Sequence, residues 1–357
     1  MSDKRHNYLL FELTKACQNR CVFCYNVWKE DHAYPKEELT ATEAMKLMDR
    51  VIPESGCRFM GLTGGEPLLK EGFFEIVSHI ASKGVTPVLI SNGKLLTEDN
   101  VARCMESGIE YFEVSLHGHK PGVHDELVRR SGSFEEAIEA VLQIKKRGGQ
   151  VNTVFVATKK NISRFKEYVE LNALLRTDWI LFNRVACGGE GIDLWASLAP
   201  SPADLRGAFE VGAALAEKYR IGLSAGVQIQ PCLVDLSRYP HIKTSFCPLN
   251  GELDGNAYFA IDPAGNLRMC NRSKQILGSL RKRPFWDLVE SAAVKAFCRA
   301  VPEFCRDCGL ARVCAGGCKA DALSCHGTLK RPDPYLELWK EEVRKTGTGT
   351  AASRKAE

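Results

Sequence analysis

"ACQNRCVFCYN" spans residues 16–26 and carries three thiols, Cys17, Cys21 and Cys24, separated by three and then two residues. A closed four-cysteine zinc site or a disulfide staple calls for an even number. Three thiols with no fourth nearby suit a metal site with an open position. The stretch follows directly on "YLLFEL" (8–13), an apolar run that reads as a strand. The same signal recurs in "RFMGLT" (58–63), "VTPVLIS" (85–91), "YFEVSL" (111–116), "VNTVFVA" (151–157) and "WILFNRV" (179–185). Between these runs lie "TATEAMKLMDRVI", "EGFFEIVSHIASKG", "TEDNVARCMESG", "SFEEAIEAVLQIKKRGG" and "NISRFKEYVELNALL", with the apolar spacing of amphipathic helices. The second, third and fourth end in glycine, a common helix stop. Six βα repeats describe an α/β fold: a parallel sheet curled into a partial (β/α)6 TIM-like barrel, open on one side. Loops that follow the strands of such a barrel form its active face, so the three thiols belong at its mouth.

Composition narrows the function classes. Hydrophobic content of 45%, charged content of 26% and a formal net charge of +4 over 357 residues are ordinary for a globular protein. So diffuse an excess of positive charge does not argue for nucleic acid. No apolar run is long enough to cross a bilayer, and "MSDKRHNYLL" lacks a signal-peptide core. No membrane partner is expected, and the expected location is the cytoplasm. That compartment keeps thiols reduced, so fifteen cysteines there point to metal ligation or catalysis. Eight of them lie between Cys247 and Cys325.

The chain therefore divides into a barrel (1–200), a bridging helical segment (201–240), a cysteine-rich module (241–330) and a C-terminal tail (331–357). "APSPADL" (199–205) opens the bridging segment and leads into a helix over about 202–219. The tail ends in "KTGTGTAASRKAE" and is expected to be largely disordered. Cys57, Cys104 and Cys298 sit within strand or helix patterns and read as core residues. Cys187, in "RVACGGEG" at the barrel mouth, is the one candidate for a reactive catalytic side chain.

Cys-x3-Cys-x2-Cys, with Phe23 before the last cysteine, resembles the radical S-adenosylmethionine (SAM) enzymes. The resemblance implies a four-iron four-sulfur cluster on Cys17, Cys21 and Cys24, with its open iron taking the amino and carboxylate groups of SAM. "TGGEP" (63–67) resembles that family's GGE motif near the methionine amine, which makes Gly64, Gly65, Glu66 and Pro67 candidate SAM contacts. "SNG" (91–93) and "SLHG" (115–118) resemble its polar strand ends, adding Ser91, Asn92 and Ser115. The family's usual form of the latter is closer to SLDG, so His117 is a departure. Arg130, or equally Arg129, resembles a residue that contacts the SAM carboxylate.

The C-terminal module reads Cys247, "GNLRMC" ending at Cys270, "CRDCGLARVCAGGC" from Cys305 to Cys318, then Cys325. This seven-cysteine pattern resembles the SPASM domain appended to many radical SAM enzymes. It implies two auxiliary clusters, one on Cys305, Cys308, Cys314 and Cys325, the other on Cys247, Cys270 and Cys318. The second set has three ligands, so either Cys232 supplies the fourth or one iron is open. A pair of zinc sites is the alternative.

The implied function is reductive cleavage of SAM to a 5′-deoxyadenosyl radical that takes hydrogen from a peptide or protein side chain. The auxiliary clusters would accept an electron or hold the substrate, and flavodoxin or ferredoxin would be the reductant. Formylglycine formation is disfavoured because Asn271, not the branch's aspartate base, follows Cys270. With Cys17 so near the start there is no room for a leader-binding domain, so a separate leader-binding protein, or the barrel itself, would read a leader. The alternatives are dehydrogenation or haem-type decarboxylation of a small molecule, then a non-enzymatic electron carrier or zinc protein.

Overall fold

Strand by strand, β-branched and aromatic residues at alternate positions decide which way each backbone faces. A computed structural model describes residues 6–31, 33–244, 246–250 and 257–346. The six expected strands form: β1 (Tyr8–Glu12), β2 (Phe59–Thr63), β3 (Thr86–Ser91), β4 (Tyr111–Ser115), β5 (Gln150–Ala157) and β6 (Trp179–Arg184). Each pairs in parallel with the next. Helices cover the outside. Phe155 and Phe182 from the sheet meet Phe165, Tyr168 and Phe209 from the helices, with ring centroids 4.5–5.5 Å apart in their sheet-to-helix contacts. Two of the helices start where side chains satisfy the first backbone N–H groups. Thr40 with Glu43 and Ser201 with Asp204 form reciprocal caps for Ala41–Ser55 and Pro202–Tyr219.

The sheet runs past the six strands at both edges. β7 (Gly222–Ala225) and β8 (Lys243–Thr244) continue it in parallel beyond β6. At the other edge β9 (Ala260–Ile261) pairs in parallel with β1, and β10 (Asn266–Arg268) and β11 (Ile276–Ser279) follow antiparallel. The order β11-β10-β9-β1-β2-β3-β4-β5-β6-β7-β8 is linear, so the barrel is open. The segment 201–240 is thus more than a helical bridge, since it supplies β7. The cysteine-rich module shares a sheet with the barrel and does not hang beside it.

Three buried ion pairs, made by two arginines, fasten the module down. Arg184, at the end of β6, pairs with Asp321 and Asp333, and Arg268 on β10 pairs with Glu12 on β1. One boundary expectation is corrected here. Residues 335–346 of the expected disordered tail form a helix, because Tyr335, Leu336 and Trp339 fall on one face and are buried. Residues 347–357 lie outside the described residues.

Candidate functional site at the barrel mouth

The cysteine loop is held by backbone before any ligand is considered. Gly65 N donates to Thr14 O and Glu66 N to Ala16 O, both at 2.7 Å. A Cβ on Gly64 would stand 2.4 Å from Thr14 O, and one on Gly65 would stand 2.1 Å from Ala16 O. The two glycines therefore admit the chain that leads into Cys17. Asn26 Nδ2 donates to Gly64 O at 3.0 Å and closes the far side of the loop.

Glu66 is fully buried, and its two oxygens accept from Ser91 Oγ (2.9 Å) and Asn92 N (2.8 Å). It joins the ends of β2 and β3, while burial pushes its carboxyl up to about 7. Pro67 opens the single turn that follows. Asn92 Nδ2 then lies 3.8 Å from Cys17 Sγ. Ser115 lines the cavity described below. His117 has a legible role after all. Its ring meets Phe23 edge-on at 4.7 Å, and its Nδ1 accepts from Val156 N at 3.3 Å. His124 Nδ1 accepts from His117 N at 3.0 Å, and the two imidazoles stack. Burial keeps both rings neutral, with His124 down to about 4, so each Nε2 carries the hydrogen. Arg130 grips Glu136 through both guanidinium nitrogens, and neither it nor Arg129 is among the residues that line the cavity.

Cys17, Cys21 and Cys24 line one cavity of about 440 Å³, together with Phe23, Gly64, Gly65, Ser91, Asn92 and Ser115. Asn271 and Arg272 of the cysteine-rich module complete its wall. Burial pushes all three thiols above their ordinary value, so a metal must drive their deprotonation. Among the described residues no three His, Cys, Asp or Glu side chains converge on a single ion. One tetrahedral zinc draws its sulfurs to about 2.3 Å. Three thiols lining one cavity offer the donor set of an iron–sulfur cluster with one iron open.

In the second set, Gln228 stands between the two cysteine groups. Its Nε2 donates to Cys314 O (2.9 Å) and Sγ (3.3 Å), and its Oε1 accepts from Cys247 N (3.0 Å). Cys247 interacts with Cys270, and Cys270 and Cys318 both flank Arg272. Near Cys305, Cys308 and Cys314 the additional thiol is Cys232, which all three push upward in pKa after the larger effect of burial. Cys325, expected in that position, is instead joined to Cys187 by a disulfide. Cys57, Cys104 and Cys298 are buried in the core as expected.

Sequence reasoning missed four residues here: Gln228, Tyr25, Arg184 and Glu113. Asn271 Nδ2 donates to Tyr25 Oη at 2.8 Å, which ties the module to the cysteine loop. Glu113 announces itself only through an acidic residue at an inward position of an apolar strand.

Comparison with known proteins follows this geometry. The model of the Radical SAM superfamily matches residues 11–171 of this chain. An "AdoMet-dependent heme synthase" from Methanosarcina barkeri is 27% identical over 92% of this chain and 95% of its own length. A "PqqA peptide cyclase" from Bradyrhizobium diazoefficiens is 23% identical over 92% and 86%. Among solved structures, anSMEcpe with bound AdoMet and the Kp18Cys peptide superposes with a TM-score of 0.71 at 17% identity, covering 94% of this chain and 96% of that one. SuiB from Streptococcus suis, bound to S-adenosylmethionine, gives 0.70 at 15% identity, covering 92% and 76%. Over 92–94% of the chain the fold is that of these solved structures. No helix among the described residues is long and apolar enough to cross a membrane.

Proposed function

We propose that this chain, whose residues 11–171 match the Radical SAM superfamily, is a SAM-dependent enzyme that modifies a side chain of a peptide or protein. The observation that carries the reading is the shared cavity. Three half-buried thiols of the barrel share one cavity with Asn271 and Arg272 of the cysteine-rich module. When bound, a four-iron cluster on those thiols supplies the electron that cleaves SAM to methionine and the 5′-deoxyadenosyl radical. The residues of this chain do the rest. Phe23, braced by His117, walls the cluster side; Ser91, Asn92, Ser115 and the Nε2–H groups of His117 and His124 offer polar contacts for SAM; the apolar strands exclude water.

The cysteine-rich module would hold two auxiliary clusters. We assign Cys232, Cys305, Cys308 and Cys314 to one, and Cys247, Cys270 and Cys318 to the other, with Gln228 bracing both. This differs from the expected set by exchanging Cys325 for Cys232, since Cys232 lies beside Cys305, Cys308 and Cys314 while Cys325 lies beside Cys187. A small one-electron donor such as flavodoxin or ferredoxin would serve all three in the cytoplasm, and a separate protein would present any leader.

The peptide reading draws support from the cyclase relative and from two solved relatives with bound peptides, anSMEcpe with Kp18Cys and SuiB with SuiA. The haem synthase relative favours a second reading, radical decarboxylation of a small molecule. A deuterium-labelled substrate separates them. The reconstituted enzyme with SAM and dithionite should carry deuterium from a labelled peptide into 5′-deoxyadenosine and leave the peptide oxidised or crosslinked. Transfer only from a carboxylated porphyrin, with release of carbon dioxide, would overturn the peptide reading.

A further inference from the structure

Glu113 sits in the middle of β4, two residues before Ser115, so both share the inward face, and both line the cavity. At about 3.3 Å per residue, Glu113 lies roughly 7 Å deeper than the strand end. Its neighbours across the sheet are Ile90 on β3 and Asn152 on β5. Around it the cavity is lined by Leu10, Ile90, Val154 and Leu181, with the phenols of Tyr8 and Tyr258.

Glu113 is the one carboxylate among the described residues that line this space, and the cavity's cations are all spoken for elsewhere. Lys29 pairs with Glu190, Arg184 with Asp321 and Asp333, and Arg272 with Asp321. No described lysine, arginine or histidine pairs with Glu113, and burial alone pushes its carboxyl up to about 7. A carboxylate placed in an apolar enclosure without a partner is costly unless a ligand supplies one.

We propose that Glu113 is a specificity-determining residue that receives a protonated amine or guanidinium on the substrate, such as a lysine or arginine side chain reaching past SAM. The inference rests on the peptide reading above and narrows it. The cation forms a charge-assisted hydrogen bond with the carboxylate, and the aliphatic stem lies along Leu10, Ile90, Val154 and Leu181. The carbon next to the SAM end of the cavity is then the one from which hydrogen is taken. A substrate whose reacting end is itself a carboxylate meets like charge at this point.

The test uses the cluster-loaded, SAM-bound protein and three simple probes: n-butylammonium, n-butylguanidinium and n-butyrate. Anaerobic thermal melts should rise with either cation and not with butyrate. In Glu113→Gln the cation effect should weaken about tenfold in apparent affinity, and Glu113→Asp should recover part of it. Iron content equal to wild type establishes that the variants are folded. Equal stabilisation of wild type and Glu113→Gln by the cations, preferential stabilisation by butyrate, or no cation effect in wild type would each overturn the proposal. Because these probes are not peptides, a positive result together with failure of the labelled-peptide experiment would sink only the peptide reading.

Discussion

Gly65 leaves no space for a methyl group, because the contact is with Ala16 carbonyl oxygen, a backbone atom with nowhere to go. Gly65→Ala should cost about 2 kcal/mol or more in urea unfolding and disorder the cysteine loop. An unchanged midpoint would contradict the reading of GGE as the loop's anchor. Glu113 gives a pH signature. Its carboxyl holds a proton up to about pH 7 in the folded state, against an ordinary value of 4.5. Between those values the folded state binds more protons than the unfolded one, so stability falls as pH rises through that window. Glu113→Gln should remove that fall and stabilise the protein without substrate by about 2–3 kcal/mol above pH 7. Glu12 and Glu66 are also raised to about 7 and remain in both proteins, so the comparison isolates Glu113. Stability curves that run parallel in pH would refute it. At this scale the thiols were legible, since their spacing is local. The partners of Arg130 and His117 were not. Glu136 claims the first by an ion pair, and Phe23 and Val156 claim the second by ring packing and a hydrogen bond, none of which a motif records.

Secondary structure tells a similar story with a different boundary. Strands of five to eight residues with a clear apolar pattern were readable, whereas β8 and β9 have two residues each and exist only because a neighbouring edge offers hydrogen bonds. The helix Tyr335–Thr346 was lost to the low complexity of the residues after it, although Tyr335, Leu336 and Trp339 mark a buried face. Cys232 belongs here too. It follows β7 and reaches the Cys305 group through the fold of the segment, with Gln228 hydrogen-bonded to Cys314 nearby. Cys232→Ala should lower the iron content of the reconstituted protein by about four atoms per chain, while Cys325→Ala should leave it unchanged. The reverse pattern would restore the expected ligand set.

For the molecule as a whole, one sheet carries both the barrel and the cysteine-rich module, and the Arg184 cluster locks them. Arg184→Met would leave Asp333 buried beside Asp321 without its cation. The cost should be about 3–5 kcal/mol in urea unfolding; a loss below about 1 kcal/mol would mean that the modules hold together without it.

The central claim is that three barrel thiols hold a SAM-cleaving cluster while two further clusters sit in the module. Anaerobic reconstitution of wild type and of the Cys17→Ala/Cys21→Ala/Cys24→Ala variant, with iron and sulfide counted and 5′-deoxyadenosine assayed under dithionite, tests it most directly. About twelve irons should fall to about eight in the variant, with loss of 5′-deoxyadenosine. Zinc in place of iron, or a fully loaded wild type that leaves SAM intact, would contradict the account.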